Sequence, residues 1–254
     1  MDTIFLSLIS GVVIGSAAGY LGTLMLSRRM ALVAGPLGHL TLPGIALALL
    51  WGFDVSIGAF PFVILGAMLI WLLEMKTKLP MEALTALVFA SGVAIAFLFL
   101  PIEQAETALV GDISQADLPG TVMTVVASLA IVLILRRTYR QLVLGNISEE
   151  LAAAEGIDVR RYNLLYLLLI AAIVALGVKM VGGLLTAALV AIPPSAARNV
   201  SRNLKQYTLG AAAIGAGSAV IGIVLTQATG LPAGPLIILV SAALFLCTLP
   251  FGRS

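Results

Sequence analysis

The stretch MDTIFLSLISGVVIGSAAGYLGTLMLSRR, residues 1–29, decides the fold. From Thr3 to about Leu26 it carries no charge, and it stops at the Arg28-Arg29 pair. A helix needs about 20 apolar residues, rising 1.5 Å each, to cross a bilayer core of about 30 Å. No basic residue precedes the run, as a cleaved secretory signal would require, so it is read as a retained span with the N-terminus outside.

The pattern repeats along the chain. Apolar stretches fall at about 3–26, 30–51, 55–73, 83–101, 120–135, 162–178, 182–197, 207–228 and 234–250. Hydrophobic residues make up 61% of the 254 positions and charged residues 10%, against roughly 45–50% and about 25% in a soluble domain. The fold class is therefore all-α, a polytopic transmembrane bundle of about eight or nine spanning helices, forming one domain over residues 1–254. The net charge of +2 gives no reason to expect a nucleic-acid partner, and Cys247, standing alone, excludes an internal disulfide or a cysteine-rich metal site.

Drawn as spans, the chain places all of its 14 lysines and arginines except Lys179 on one face, from Arg28 and Arg29 through Lys76, Lys78 and Arg136 to Arg253. Loops that keep Lys and Arg are cytoplasmic, which puts the C-terminus inside. The opposite loop from Pro101 to Gly120 is acidic, with Glu103, Glu106, Asp112 and Asp117.

Two apolar stretches are interrupted. Residues 30–51 contain Gly35-Pro36, Gly38 and Pro43-Gly44 and are expected to begin as broken helix, while 162–197 reads either as two short spans or as one span plus a re-entrant piece. Irregular backbone at membrane depth must be buried in protein or line a cavity. His39, the sole histidine, lies in the first of these stretches. Other candidates near a pathway are Glu82 at the inner mouth, and Pro193 with Ser195, where prolines free backbone carbonyls. Glu74 and Glu82 flank the Lys76–Lys78 turn as interfacial partners of those lysines, and Lys179 can snorkel to the outer surface.

The only substantial polar segment, 137–161, contains a short helix. Asn146 is the expected cap, Glu149 and Glu150 complement the helix dipole, and Gly156 is a natural left-handed terminator. Its alanine-rich face, with Leu151 and Ala152, could enter a groove on another protein.

Five segments, in order, resemble the membrane subunit of bacterial ATP-binding-cassette importers for zinc, manganese and iron. They are GYLGTLMLSRRMALVAGPLGHLTLPGIAL (19–47), ALVGDISQADL (108–118), SEELAAAEGI (148–157), VGGLLTAALVAIPPSAAR (181–198) and TGLPAGPLIILV (229–240). The resemblance implies a multi-pass permease of the bacterial inner membrane, paired with a second copy around a shared pathway. A separate cytoplasmic ATPase would dock on Glu149, Glu150, Leu151, Ala152 and Gly156. An extracytoplasmic binding protein would deliver a divalent metal ion to the side holding Asp112 and Asp117. No cofactor would be bound and no reaction catalysed by this chain, since ATP is used by the partner. The chain departs from the family at Gly35, where an Asp four residues before the histidine is expected, and at Gly38 in place of a Ser. That leaves His39 alone of the expected ligand pair. An importer of a metal chelate or vitamin is the alternative. An ion-coupled secondary transporter would call for carboxylates at mid-span, and none is found at the centre of any span drawn here.

Overall fold

Each long helix is apolar on all sides, the composition of a helix that meets protein on one face and lipid on the other. A computed structural model of the chain describes residues 3–28, 34–53, 55–77, 79–99 and 117–252. Arg29, Lys78, Arg253 and the stretch 101–116, with Asp112, lie outside the described residues, as does the Lys179 side chain. The helices are α1 (Thr3–Ser27), α2 (Ala34–His39), α3 (Leu42–Trp51), α4 (Val55–Lys76), α5 (Met81–Phe99), α6 (Leu118–Ile147), α7 (Glu149–Ala154), α8 (Val159–Val200), α9 (Leu204–Thr229) and α10 (Ala233–Thr248), followed by a short 3-10 turn (Leu249–Phe251).

Seven helices among the described residues are long and apolar enough to cross a membrane. The two further apolar stretches expected from sequence are shorter, broken pieces, so the seven agree roughly with the expected eight or nine. Residues 34–51 are split into α2 and α3. Residues 183–200 are the returning leg of α8, which contains a non-helical residue at Gly182 (φ 80°, ψ 165°). A Cβ placed on Gly177 would lie 2.8 Å from Thr186 and 3.7 Å from Leu189. In a straight helix those residues would be roughly 13 and 18 Å away. The chain therefore folds back at Gly182, giving 162–197 two legs, the first of which is long and apolar enough to span.

At the centre stand α1 and the first leg of α8, the spans with the largest buried share. Tyr166, Leu21, Met25, Leu167 and Ile170 are fully enclosed between them and their neighbours. By contrast Leu65, Met68 and Leu69 of α4, Ile95 and Leu98 of α5, and Leu129 and Leu133 of α6 face outward, the surface lipid would cover.

Close approach of backbones explains how α1 is held. A Cβ on Gly15 would come 2.5 Å from the Gly215 carbonyl oxygen, and one on Gly19 would overlap the Ala211 carbonyl, so α1 and α9 run antiparallel along a seam of small residues. Lipid supplies no hydrophobic drive for association, and such seams replace it with contact area. Gly22 meets the Val190 carbonyl and the Pro194 ring on the returning leg of α8. Pro194 has no N–H to offer Val190, so the oxygen it frees is packed against α1.

Hydroxyls mostly bond to their own helix. Ser7 donates to the Thr3 carbonyl, Thr23 to Tyr20, Thr85 to Met81, Ser218 to Ile214 and Thr226 to Gly222. This back-bonding satisfies polar groups without a partner from another helix.

Candidate functional site

The break between α2 and α3 follows from Pro43, which provides no N–H for the carbonyl of His39 four residues earlier. Instead the Gly38 carbonyl accepts from both the Thr41 N–H (3.4 Å) and the Thr41 hydroxyl (2.6 Å). The second break lies directly opposite. A Cβ on Gly183 would be 3.0 Å from the Gly38 oxygen and 3.4 Å from Thr41 Oγ1, and on the same leg Thr186 donates to the Gly182 carbonyl at 2.6 Å. Two interruptions, separated widely in sequence, thus face each other inside the apolar bundle and bring carbonyl and hydroxyl oxygens together.

His39 ends α2 beside this junction. Its ring is half-buried and stacks obliquely on Phe89 of α5, with centroids 5.2 Å apart. Gly35, one turn earlier on the same face, lies against Ala187, where a Cβ would find ordinary contact at 3.5 Å. No group of three His, Cys, Asp or Glu side chains gathers among the described residues. The polar groups here are one imidazole, the Gly38 and Gly182 carbonyls and the Thr41 and Thr186 hydroxyls, a set unsuited to a closed structural metal site.

The other candidates lie apart from His39. Glu82 is exposed in the first turn of α5. Pro193 is buried, and the Ser195 hydroxyl donates to the Ala191 carbonyl at 2.7 Å. Asp117 is exposed at the position before α6, where its carbonyl accepts from the Thr121 N–H, ahead of Pro119. Glu74 is half-buried within reach of the charge on Arg28, which sequence reading did not pair with it.

The polar segment forms a compact element at the end of the bundle that carries the basic residues. Its cap is Ser148, not Asn146. The Ser148 hydroxyl accepts from the Leu151 N–H at 3.2 Å, whereas Asn146 remains in α6 and donates to the Ser27 carbonyl at 3.4 Å. Tertiary contact with α1 extends α6 beyond the first available cap. Gly156 ends α7 with φ 73°: its N–H reaches the Ala153 carbonyl, and the Ile157 N–H reaches Ala152, the paired bonds of a left-handed helix stop. Ala152 is buried against the bundle while Glu149, Glu150, Leu151 and Ala153 are exposed. Arg140 and Glu155 form an exposed ion pair at 2.8 Å.

Sequence reading took Arg28 only as a membrane stop. In the structure its guanidinium donates to Asn163 Oδ1 (2.8 Å) and to the Leu142 carbonyl (2.7 Å) and lies 5.0 Å over the Tyr166 ring. Burial lowers its pKa from the ordinary arginine value, opposed by Tyr166 and Glu74; a guanidinium stays cationic throughout.

Comparison with known proteins shows the same architecture elsewhere. The pattern of the ABC 3 transport family matches residues 1–252. The manganese import system permease protein ScaB of Streptococcus gordonii is 27% identical over 244 residues, covering 94% of this chain and 88% of that protein. The high-affinity zinc uptake system membrane protein ZnuB of Buchnera aphidicola is 26% identical, covering 97% and 95%. Among solved structures, PsaBC from Streptococcus pneumoniae in complex with Fab superposes with a TM-score of 0.84 at 26% identity, covering 98% of this chain and 91% of that one.

Proposed function

Because this chain belongs to the ABC 3 transport family, it is a membrane permease subunit, and we propose that it forms the pathway of an ATP-driven importer for manganese, zinc or iron. The observation that carries this reading is the family match along almost the whole chain, with relatives named for manganese import and for zinc uptake. Two copies enclose the pathway. The basic end faces the cytoplasm, where a separate ATPase docks on α7, and a binding protein delivers the ion at the opposite end, near Asp112 and Asp117.

The geometry fits this division of labour. Two helix breaks in contact give the bundle a place to bend, with Thr41 and Thr186 donating to the Gly38 and Gly182 carbonyls beside them. His39 supplies a neutral imidazole at that place, and the ion keeps part of its water shell or takes backbone oxygens for the rest. Replacement of His39 by alanine is expected to raise the ion concentration for half-maximal uptake by roughly tenfold. Uptake of manganese, zinc and iron at wild-type concentrations by His39→Ala would retire the ligand role.

Docking is tested at Leu151, an exposed apolar side chain on a helix that Ala152 anchors. Leu151→Asp leaves the cap and the Gly156 stop in place but sets a charge in the contact. An anchor lost from an interface costs about 2 kcal/mol or more, or roughly thirtyfold in affinity. Co-purification of the ATPase with Leu151→Asp should fail while membrane insertion persists; undiminished association would remove α7 as the docking element.

A further inference from the structure

The segment carrying α7 leaves the bundle from α6 and rejoins it at α8, and both of its stems are fastened to one point, the C-terminal end of α1. Arg28 makes the fastening, donating to the Leu142 carbonyl on α6 and to Asn163 on α8. Two longer contacts flank it, each 3.4 Å: Asn146 donates to the Ser27 carbonyl, and Tyr166 to the Leu21 carbonyl. A planar fork that reaches two elements at once is a property of arginine that lysine lacks. Nε of Arg28 is buried without a partner among the described residues, so the side chain is held by its two terminal nitrogens and not by filling all of its donors. One turn and a half back along α1, Gly22 rests on the Val190 carbonyl and Pro194 of the returning leg of α8, which leads directly to the break at Gly182–Gly183. A continuous chain of contacts therefore runs from the docking segment through Arg28 and α1 to the intramembrane break.

We propose that Arg28 is the clasp that transmits movement of the cytoplasmic segment to α1 and so to the break, acting as a positioning residue without contact to ion or ATPase. This rests on the importer reading above. The test uses the full chain with its ATPase and binding protein in proteoliposomes, and reads ATPase association, ATP turnover and metal uptake separately. Arg28→Lys keeps the charge and loses the fork. It should retain the ATPase and hydrolyse ATP, yet carry roughly tenfold fewer ions per ATP than wild type. Asn163→Ala removes one acceptor and should lower the same ratio, and the two changes combined should fall short of the product of their separate effects. An unchanged ratio of ions to ATP in both single variants, or strictly multiplicative effects in the pair, would overturn the clasp while leaving the importer reading intact. Failure of the wild-type chain to bind the ATPase or carry metal would overturn both.

Discussion

Gly182→Ala is expected to reduce metal uptake by roughly tenfold, with the protein still inserted in the membrane. At φ 80° and ψ 165°, residue 182 occupies a region open in practice to glycine alone, and holding an alanine there costs about 1–3 kcal/mol. The strain cannot be relieved locally, because Gly183 next to it is wedged against Gly38 and Thr41. The returning leg of α8 must then shift relative to α2, which moves the carbonyls beside His39. Transport suffers before folding does, since each leg has its own contact with α1, Tyr166 with Leu21 on the first and Val190 with Gly22 on the second. Uptake assays on Gly182→Ala beside a measurement of thermal stability will separate these effects. Wild-type uptake would mean that the fold-back conformation at Gly182 is dispensable.

Gly15→Val is expected to have the largest effect on stability. The new Cβ would sit 2.5 Å from the Gly215 oxygen and 2.9 Å from its carbonyl carbon. Those atoms are backbone, so no rotamer change makes room, and the reciprocal contact from Gly215 back to Gly15 means that both helices must part. Overpacking of this kind costs about 1–3 kcal/mol, and the upper end is expected where main chain meets main chain. Gly217→Ala on the same helix α9 is the control. Its Cβ would meet nothing within 4 Å, and alanine favours a helix over glycine by about 1 kcal/mol. Thermal unfolding in detergent should therefore move in opposite directions for the two variants. Equal midpoints would show that the seam does not hold α1 in place.

Much of this architecture is legible in the sequence because bilayer thickness imposes a length on every apolar run. The basic residues, together with Gly35-Pro36 and Pro43-Gly44, mark span ends and the first break by local chemistry alone. Gly156 is legible for the same reason. What remains hidden is decided by contacts distant along the chain. Asn146 and Ser148 are both good caps, and the contact of Asn146 with the Ser27 carbonyl, distant in sequence, leaves the capping to Ser148. The partners of Arg28 lie 135 and 114 residues away, so a stop signal in sequence becomes a junction only in three dimensions. Gly182-Gly183 signals a weak point in a helix, but its reversal of direction depends on what α1 and α2 place on either side. For His39 the sequence supplies a candidate and a missing neighbour; the Phe89 ring and the facing second break come from the fold.

The hydroxyls that turn back onto their own helices have a bearing on how this bundle is handled in solution. Between α1 and α9 the described residues meet by close approach of main chains, so cohesion there is a matter of fit. Ionic strength and moderate changes of pH should scarcely loosen it, whereas an amphiphile small enough to slip between α1 and α9 attacks that seam directly.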